Sequence, residues 1–248
     1  MNRIQCFTRC LGLPLLVTGI LTAVVPALGR ADVTVVDQTR INIDINYDDA
    51  TGWDLGAHDE FADIFYGADE VLFYASPADR RVVPNDPDFA FLGASPGDTI
   101  WVLPQVFDPG RLSVGVSAEG ISGDTFASYY EADPRVHATG AWVKLTLIAV
   151  RGPGDVSVWQ NDAFGRPVVW MATSDGITDD DAVFVQTTRD ADYNWAFTAP
   201  GIYEIDVQAS AFLDADTPTA SEVVTYTFGV ECEMPRVLAR RPRVVPVP

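Results

Sequence analysis

The sequence predicts an all-β protein, an antiparallel β-sandwich that is immunoglobulin-like in its second half. Three observations predict it. Apolar residues recur at every second position in four stretches, Gly- and Pro-rich turn clusters separate the stretches, and no long segment repeats with the 3.6-residue period of a helix. Side chains of a strand point alternately to opposite faces, so each stretch buries one face and wets the other.

Residues 1–31 have the layout of a secretory signal peptide. Arg3 and Arg9 precede an apolar run, Leu11 to Leu28, punctuated by Pro14 and Pro26, and the small-residue stretch Ala27-Leu28-Gly29-Arg30-Ala31 offers cleavage after Gly29 or Ala31. The expected product is exported, either secreted or held in the cell envelope. It keeps 13 Lys or Arg against 35 Asp or Glu, a net charge of −22. Such a surface repels a phosphate backbone, so no nucleic-acid partner is expected. The hydrophobic share of 48% is enough to fill a core, which excludes global disorder.

The first alternating stretch sets Ile41, Ile43, Ile45 and Tyr47 against Asn42, Asp44, Asn46 and Asp48. Next come Val143, Leu145, Leu147 and Ala149, then Tyr203, Ile205, Val207 and Ala209, and last Val224, Tyr226, Phe228 and Val230. Turns are expected at 49–52, 94–98, 108–110, 152–155, 174–176 and 199–201, where Gly, Pro, Asp and Ser cluster. At most one helical turn fits, around Asp59–Ile64. From Trp195 to Tyr203 a strand ends, turns at Pro200-Gly201 and restarts on a tyrosine. That is the logic of the tyrosine corner of immunoglobulin-like sandwiches, with a hairpin carrying a core tyrosine as the plainer reading. Residues 140–231 therefore read as the immunoglobulin-like unit. Residues 32–139 read as an N-terminal β lobe, either separate or part of one extended sandwich. Residues 232–248, with four arginines and no acid from Pro235 onward, read as an extended basic tail.

Cys6 and Cys10 leave with the signal, so Cys232 has no intramolecular partner and the fold must be held by its core or by bound metal. Neither an apolar span of about 20 residues nor a Leu-Pro-x-Thr-Gly sorting motif follows the leader, so no transmembrane anchor is expected.

Several motifs together are similar to the choice-of-anchor M domain. They are Trp53-Asp54-Leu55-Gly56-Ala57-His58-Asp59-Glu60, Phe89-Ala90-Phe91-Leu92-Gly93, Trp101-Val102-Leu103-Pro104-Gln105, Gly152-Pro153-Gly154, Asn161 to Gly165, Ser174-Asp175-Gly176 and the Asn194-to-Tyr203 corner. The resemblance runs in order from about Val33 to Val230. It implies kinship with actinobacterial surface-anchored repeat proteins found beside metal-type ABC transporters, and hence an accessory role in divalent-metal uptake. The family's two histidine pairs fall on Gly56 and His58, and on Asp190 and Asp192. The implied metal ligands are thus His58, Asp190 and Asp192. With carboxylates at two of these positions the ion is calcium, manganese or zinc, or the site is lost.

Each of these residues has a plainer reading. His58 beside Asp59 and Glu60 is either a ligand or a surface histidine, and His137 reads as a loop residue. Asp48-Asp49, Asp86 with Asp88, Asp175 and Asp179-Asp180-Asp181 are either calcium loops or solvated turns, and no EF-hand spacing is present. Trp159 and Trp170 either stack on a sugar ring or pack in the sheets. Without Gly-x-Ser-x-Gly or His-Glu-x-x-His, no enzyme is expected. The expected function is a non-enzymatic envelope binding protein that assists a metal ABC transporter. The alternative is an adhesion module for a glycan or an envelope protein.

Overall fold

The computed structural model describes residues 33–128, 133–136 and 140–233. The expected signal peptide, most of the basic tail and His137 lie outside these residues. Sixteen strands are described, in chain order β1 (Thr34–Val36), β2 (Arg40–Asp48), β3 (Gly52–Asp59), β4 (Ile64–Gly67), β5 (Val71–Ala75), β6 (Arg80–Val82), β7 (Thr99–Leu103), β8 (Ser113–Ser117), β9 (Trp142–Arg151), β10 (Val156–Asn161), β11 (Pro167–Ala172), β12 (Ala182–Gln186), β13 (Asp190–Phe197), β14 (Gly201–Asp214), β15 (Thr217–Ala220) and β16 (Val224–Val230). The four alternating stretches are β2, β9, β14 and β16. Among the described residues helical structure is limited to the 3-10 turns Pro77–Asp79, Pro87–Leu92 and Thr173–Asp175. The all-β expectation holds.

Two sheets face each other. The first runs β1-β5-β16-β14-β9-β12, with β15 on β14. The second runs β11-β10-β13-β8-β2-β3-β4, with β7 on β13 and β6 on β7. Both sheets hold strands from either side of residue 140, joined where β5 meets β16 in the first and where β8 meets β13 in the second, so the two halves of the chain share one sandwich. The sandwich is not wholly antiparallel, because β1–β5, β5–β16 and β2–β8 pair in parallel. Parallel neighbours need long crossovers rather than hairpins, and the many residues between β2 and β8 supply one.

The core between the sheets is the buried half of each alternation. Ile41, Ile43 and Ile45 of β2 meet Val143, Leu145 and Leu147 of β9, Ile205 and Val207 of β14, and Phe228 of β16 in one contiguous cluster. Trp195 of β13 lies among them, its ring 5.4 Å from that of Phe228 and its indole N–H donating to the Val114 carbonyl at 3.1 Å. That bond satisfies the ring's one polar atom, as burial of a tryptophan requires.

The corner at Pro200-Gly201 has tyrosine-corner geometry. The Tyr203 ring is buried, and its hydroxyl donates to the Ala199 carbonyl at 2.7 Å while accepting from the Ala199 N–H at 3.2 Å. Burial pushes this hydroxyl's pKa up to about 12, so it stays a donor throughout the physiological range. Gly152 lies against the ring, where a Cβ would collide with it.

The outer face of the second sheet is divided. One end is roofed by the 3-10 turn Pro87–Leu92, which starts on an Asp86 side-chain cap with Pro87 behind it and ends at Gly93 with φ 69°. Leu92 packs there with Val83, Ile100, Trp159 and Ala196 into a second small core. The other end has no 3-10 turn packed on it among the described residues. Its side chains are polar.

Candidate functional site: an acidic sheet face

Strand register assembles the polar end. Asn42 of β2 pairs with His58 of β3 on one side and Gly115 of β8 on the other, and Gly115 pairs with Asp192 of β13. In the next row Asp44 pairs with Gly56 and Ser117, and Ser117 with Asp190. Side chains two apart on a strand share a face, so Arg40, Asn42, Asp44 and Asn46 rise from the floor between those neighbours. Glu60 reaches in from the end of β3, its carboxylate accepting from the Asn42 amide at 2.6 Å.

This polar half of β2 was expected to be wet, yet Asn42 and Asp44 are buried. Arg40, at the head of the same strand face, extends across β8 to β13. Its guanidinium pairs with Asp190 and donates from Nε to Asp192 Oδ1 at 3.2 Å. Facing carboxylates surround it. Burial, followed by the charges of Asp190 and Glu60, holds the Glu119 carboxyl above the usual range. Asp44 is also raised, chiefly by burial, against the Asn46 amide that donates to it at 2.7 Å.

The sign of the Asp44 shift makes a pH prediction. A raised carboxyl pKa means that the folded state binds the proton more tightly than the unfolded chain, so ionisation destabilises the fold. That penalty is present at neutral pH and disappears as pH falls through the carboxylate range. Asp44→Asn is therefore expected to raise the melting temperature at pH 7. The gain should shrink toward zero in acid, which paired thermal melts across pH check.

The sequence-predicted ligands separate into two groups. Asp190 and Asp192 are brought together on Arg40. His58 stands three interstrand steps from Asp192, about 14 Å at the usual spacing. It stacks on Phe65 at 4.0 Å and contacts Asp63 at 3.1 Å and Glu60 at 3.7 Å. Among the described residues no group of three or more His, Cys, Asp or Glu side chains could hold a metal ion. Three of the other acidic candidates serve their own turns. Asp48 accepts from the Ala50 and Thr51 N–H groups, Asp86 caps its 3-10 turn, and Asp181 accepts from Ala172 and Thr178. Trp159 and Trp170 are buried, the first against Phe91 and the second beneath the Arg135 guanidinium.

One feature of the floor lies outside the sequence pattern. Asn42 Oδ1 is buried without a hydrogen-bond partner, while its amide N–H is spent on Glu60. It lies directly over Gly115. A methyl placed on Gly115 would collide with Asn42 Oδ1 and would sit 3.0 Å from both Asp192 Oδ1 and the Ala191 carbonyl. Three oxygens thus converge above one glycine, and all three are acceptors. Carboxylate, amide and main-chain oxygens are the donor set of hard cations, calcium and manganese rather than zinc.

The fold and this face define a class, a β-sandwich that displays a carboxylate-rich floor on one sheet. No protein-family model, curated protein or solved structure matches the chain. No helix among the described residues is long and apolar enough to cross a membrane.

Proposed function

We propose that the chain is an exported, non-enzymatic binding protein of the cell envelope whose acidic sheet face takes a hard divalent cation. The observation that carries this reading is the buried, unpartnered Asn42 Oδ1 facing Asp192 Oδ1 and the Ala191 carbonyl across Gly115. A buried acceptor without a donor costs about 1–3 kcal/mol, and a cation with its waters removes that cost. Arg40 also holds Asp190, so it keeps one carboxylate when an ion takes Asp192 Oδ1. His58 is too far across the sheet to complete the same shell. The resemblance to choice-of-anchor M domains extends the reading to an accessory role in divalent-metal uptake, and neighbouring metal-transporter genes would support that extension.

Equilibrium dialysis with elemental analysis tests the binding. The native protein is expected to retain calcium or manganese in preference to zinc, and Asp192→Asn to lose it. Retention of neither ion above the buffer level would refute the proposal.

A second reading, adhesion to a glycan, is favoured by one observation. Phe61 and Phe65 are both 64% exposed beside the acidic floor, and Phe61 meets Phe107 edge-on at 4.8 Å. Flat exposed rings next to carboxylates suit a sugar face and its hydroxyls. Glycan-array binding abolished by Phe65→Ala would select this reading over the cation.

A further inference from the structure

We propose that Arg40 is the resident cation of the acidic floor, and that exchange against it restricts the floor to divalent ions. The inference rests on the reading of that floor as a cation site and names the residue that sets what the site accepts. One oxygen carries the argument. Asp192 Oδ1 accepts from Arg40 Nε at 3.2 Å. The same atom is one of the three that converge above Gly115, 3.0 Å from where a Cβ on that glycine would stand. Beside it, across Gly115, the buried Asn42 Oδ1 has no donor. Arg40 thus serves one of these neighbouring acceptors and leaves the other unserved. An ion that gathers all three must take Asp192 Oδ1 from the guanidinium.

The guanidinium is placed to yield that atom. It holds Asp192 by two long bonds, from Nε at 3.2 Å and from Nη2 to Oδ2 at 3.3 Å, at or beyond the upper end of ordinary N–H···O distances. Nη2 also pairs with Asp190 Oδ2. The side chains of Arg40, Asp190 and Asp192 are 26%, 27% and 31% exposed, and ion pairs open to water hold weakly. Release of Asp192 therefore costs little, and Asp190 keeps the arginine's charge beside the site. That retained charge decides which ions succeed. A monovalent ion brings Asp192 no more charge than the guanidinium it displaces, breaks two hydrogen bonds and is repelled by the arginine. A divalent ion brings twice the charge to the same carboxylate, and the amide and main-chain oxygens help to complete its shell. Sodium is close to calcium in size, so the spacing of the oxygens does not separate the two. The charge of Arg40 does.

Calcium titrations of the native and Arg40→Gln proteins test this, each in sodium chloride and in tetramethylammonium chloride at equal ionic strength. The organic cation is too bulky for the floor, so it screens charge without competing. In the organic salt Arg40→Gln is expected to bind calcium at least about 5-fold more tightly than the native chain, the lower end of the usual range for coupled sites. Sodium is expected to weaken calcium binding several-fold in Arg40→Gln, whereas the native chain binds equally well in the two salts. Equal or weaker calcium binding by Arg40→Gln, or a sodium effect as large in the native chain, would overturn the role of Arg40 and leave the cation site standing. Calcium binding by Arg40→Gln alone would keep Arg40 as the occupant and refute the native cation reading. No binding by either protein would refute both. If Arg40→Gln does not fold, the native chain supplies the answer by NMR. The Nε–H resonance of Arg40, assigned by its loss in Arg40→Lys, is expected to shift as calcium is added and to level off with binding. A resonance unmoved at calcium saturation would overturn the proposal.

Discussion

Arg111→Ala is expected to lower stability by about 3–5 kcal/mol, the usual result of stranding one member of a buried ion pair. Asp79 is wholly buried, and it accepts from Arg111 Nε at 2.8 Å, from the Ser76 N–H at 2.7 Å and from the Ser76 hydroxyl at 3.0 Å. Arg111 also donates to the Val102 carbonyl. One guanidinium thus ties the 3-10 turn Pro77–Asp79 to β7. Without it the carboxylate has lost its charge partner and cannot reach water. Urea unfolding should show a lower midpoint with an unchanged slope. The double variant Arg111→Met/Asp79→Leu should recover much of the loss, because removing both charges removes the stranded one. A single variant as stable as the native chain would mean that Asp79 is not buried as described.

Gly115→Ala is expected to weaken calcium or manganese binding by about 10–100-fold, the range seen when groups around a metal site are disturbed. The new methyl would occupy the space where the three oxygens converge and would push Asn42 aside. It also overpacks the floor, at a cost of about 1–3 kcal/mol. Asn42→Ala provides the comparison without a clash, since it deletes the acceptor and leaves room. Calorimetric titration should show both variants losing the ion. Full binding by Asn42→Ala would place the ion elsewhere.

Much of the fold was legible because alternation is a local signal. The stretches around Ile41, Val143, Tyr203 and Val224 became strands with the expected residues inward, except that a bulge after Leu147 puts Val150 rather than Ala149 against the core, and Tyr203 bonds the backbone of Ala199 as its place after Pro200-Gly201 implied. Pairing partners were not legible, because nothing in a strand's own residues names its neighbour. The parallel placement of β8 beside β2 is such a case. Ser113-Val114-Gly115-Val116-Ser117 is a short, plain segment, all of it buried, and no residue of its own announces its place between β2 and β13. The expectation that Asn42 and Asp44 face water failed for the same reason, since their neighbours, His58 and Gly56 of β3 and Gly115 and Ser117 of β8, are set by strand pairing.

The site was half legible. The positions of Asp190 and Asp192 on one strand face follow from their spacing, and the structure keeps them together. His58 was grouped with them by resemblance alone, and the strand order β3-β2-β8-β13 sets it at the far side of the floor. Asn42 carried no signal beyond being the polar member of an alternation. Its significance comes from Gly115, whose missing side chain leaves the amide oxygen room to lie across β8.

Anomalous diffraction from crystals grown with manganese tests the cation site most directly. The account predicts one ordered ion at bonding distance from Asn42 Oδ1, Asp192 Oδ1 and the Ala191 carbonyl, with Arg40 retained on Asp190. An anomalous peak at the Asp179–Asp181 turn instead, or none on the outer face of the second sheet, would contradict it.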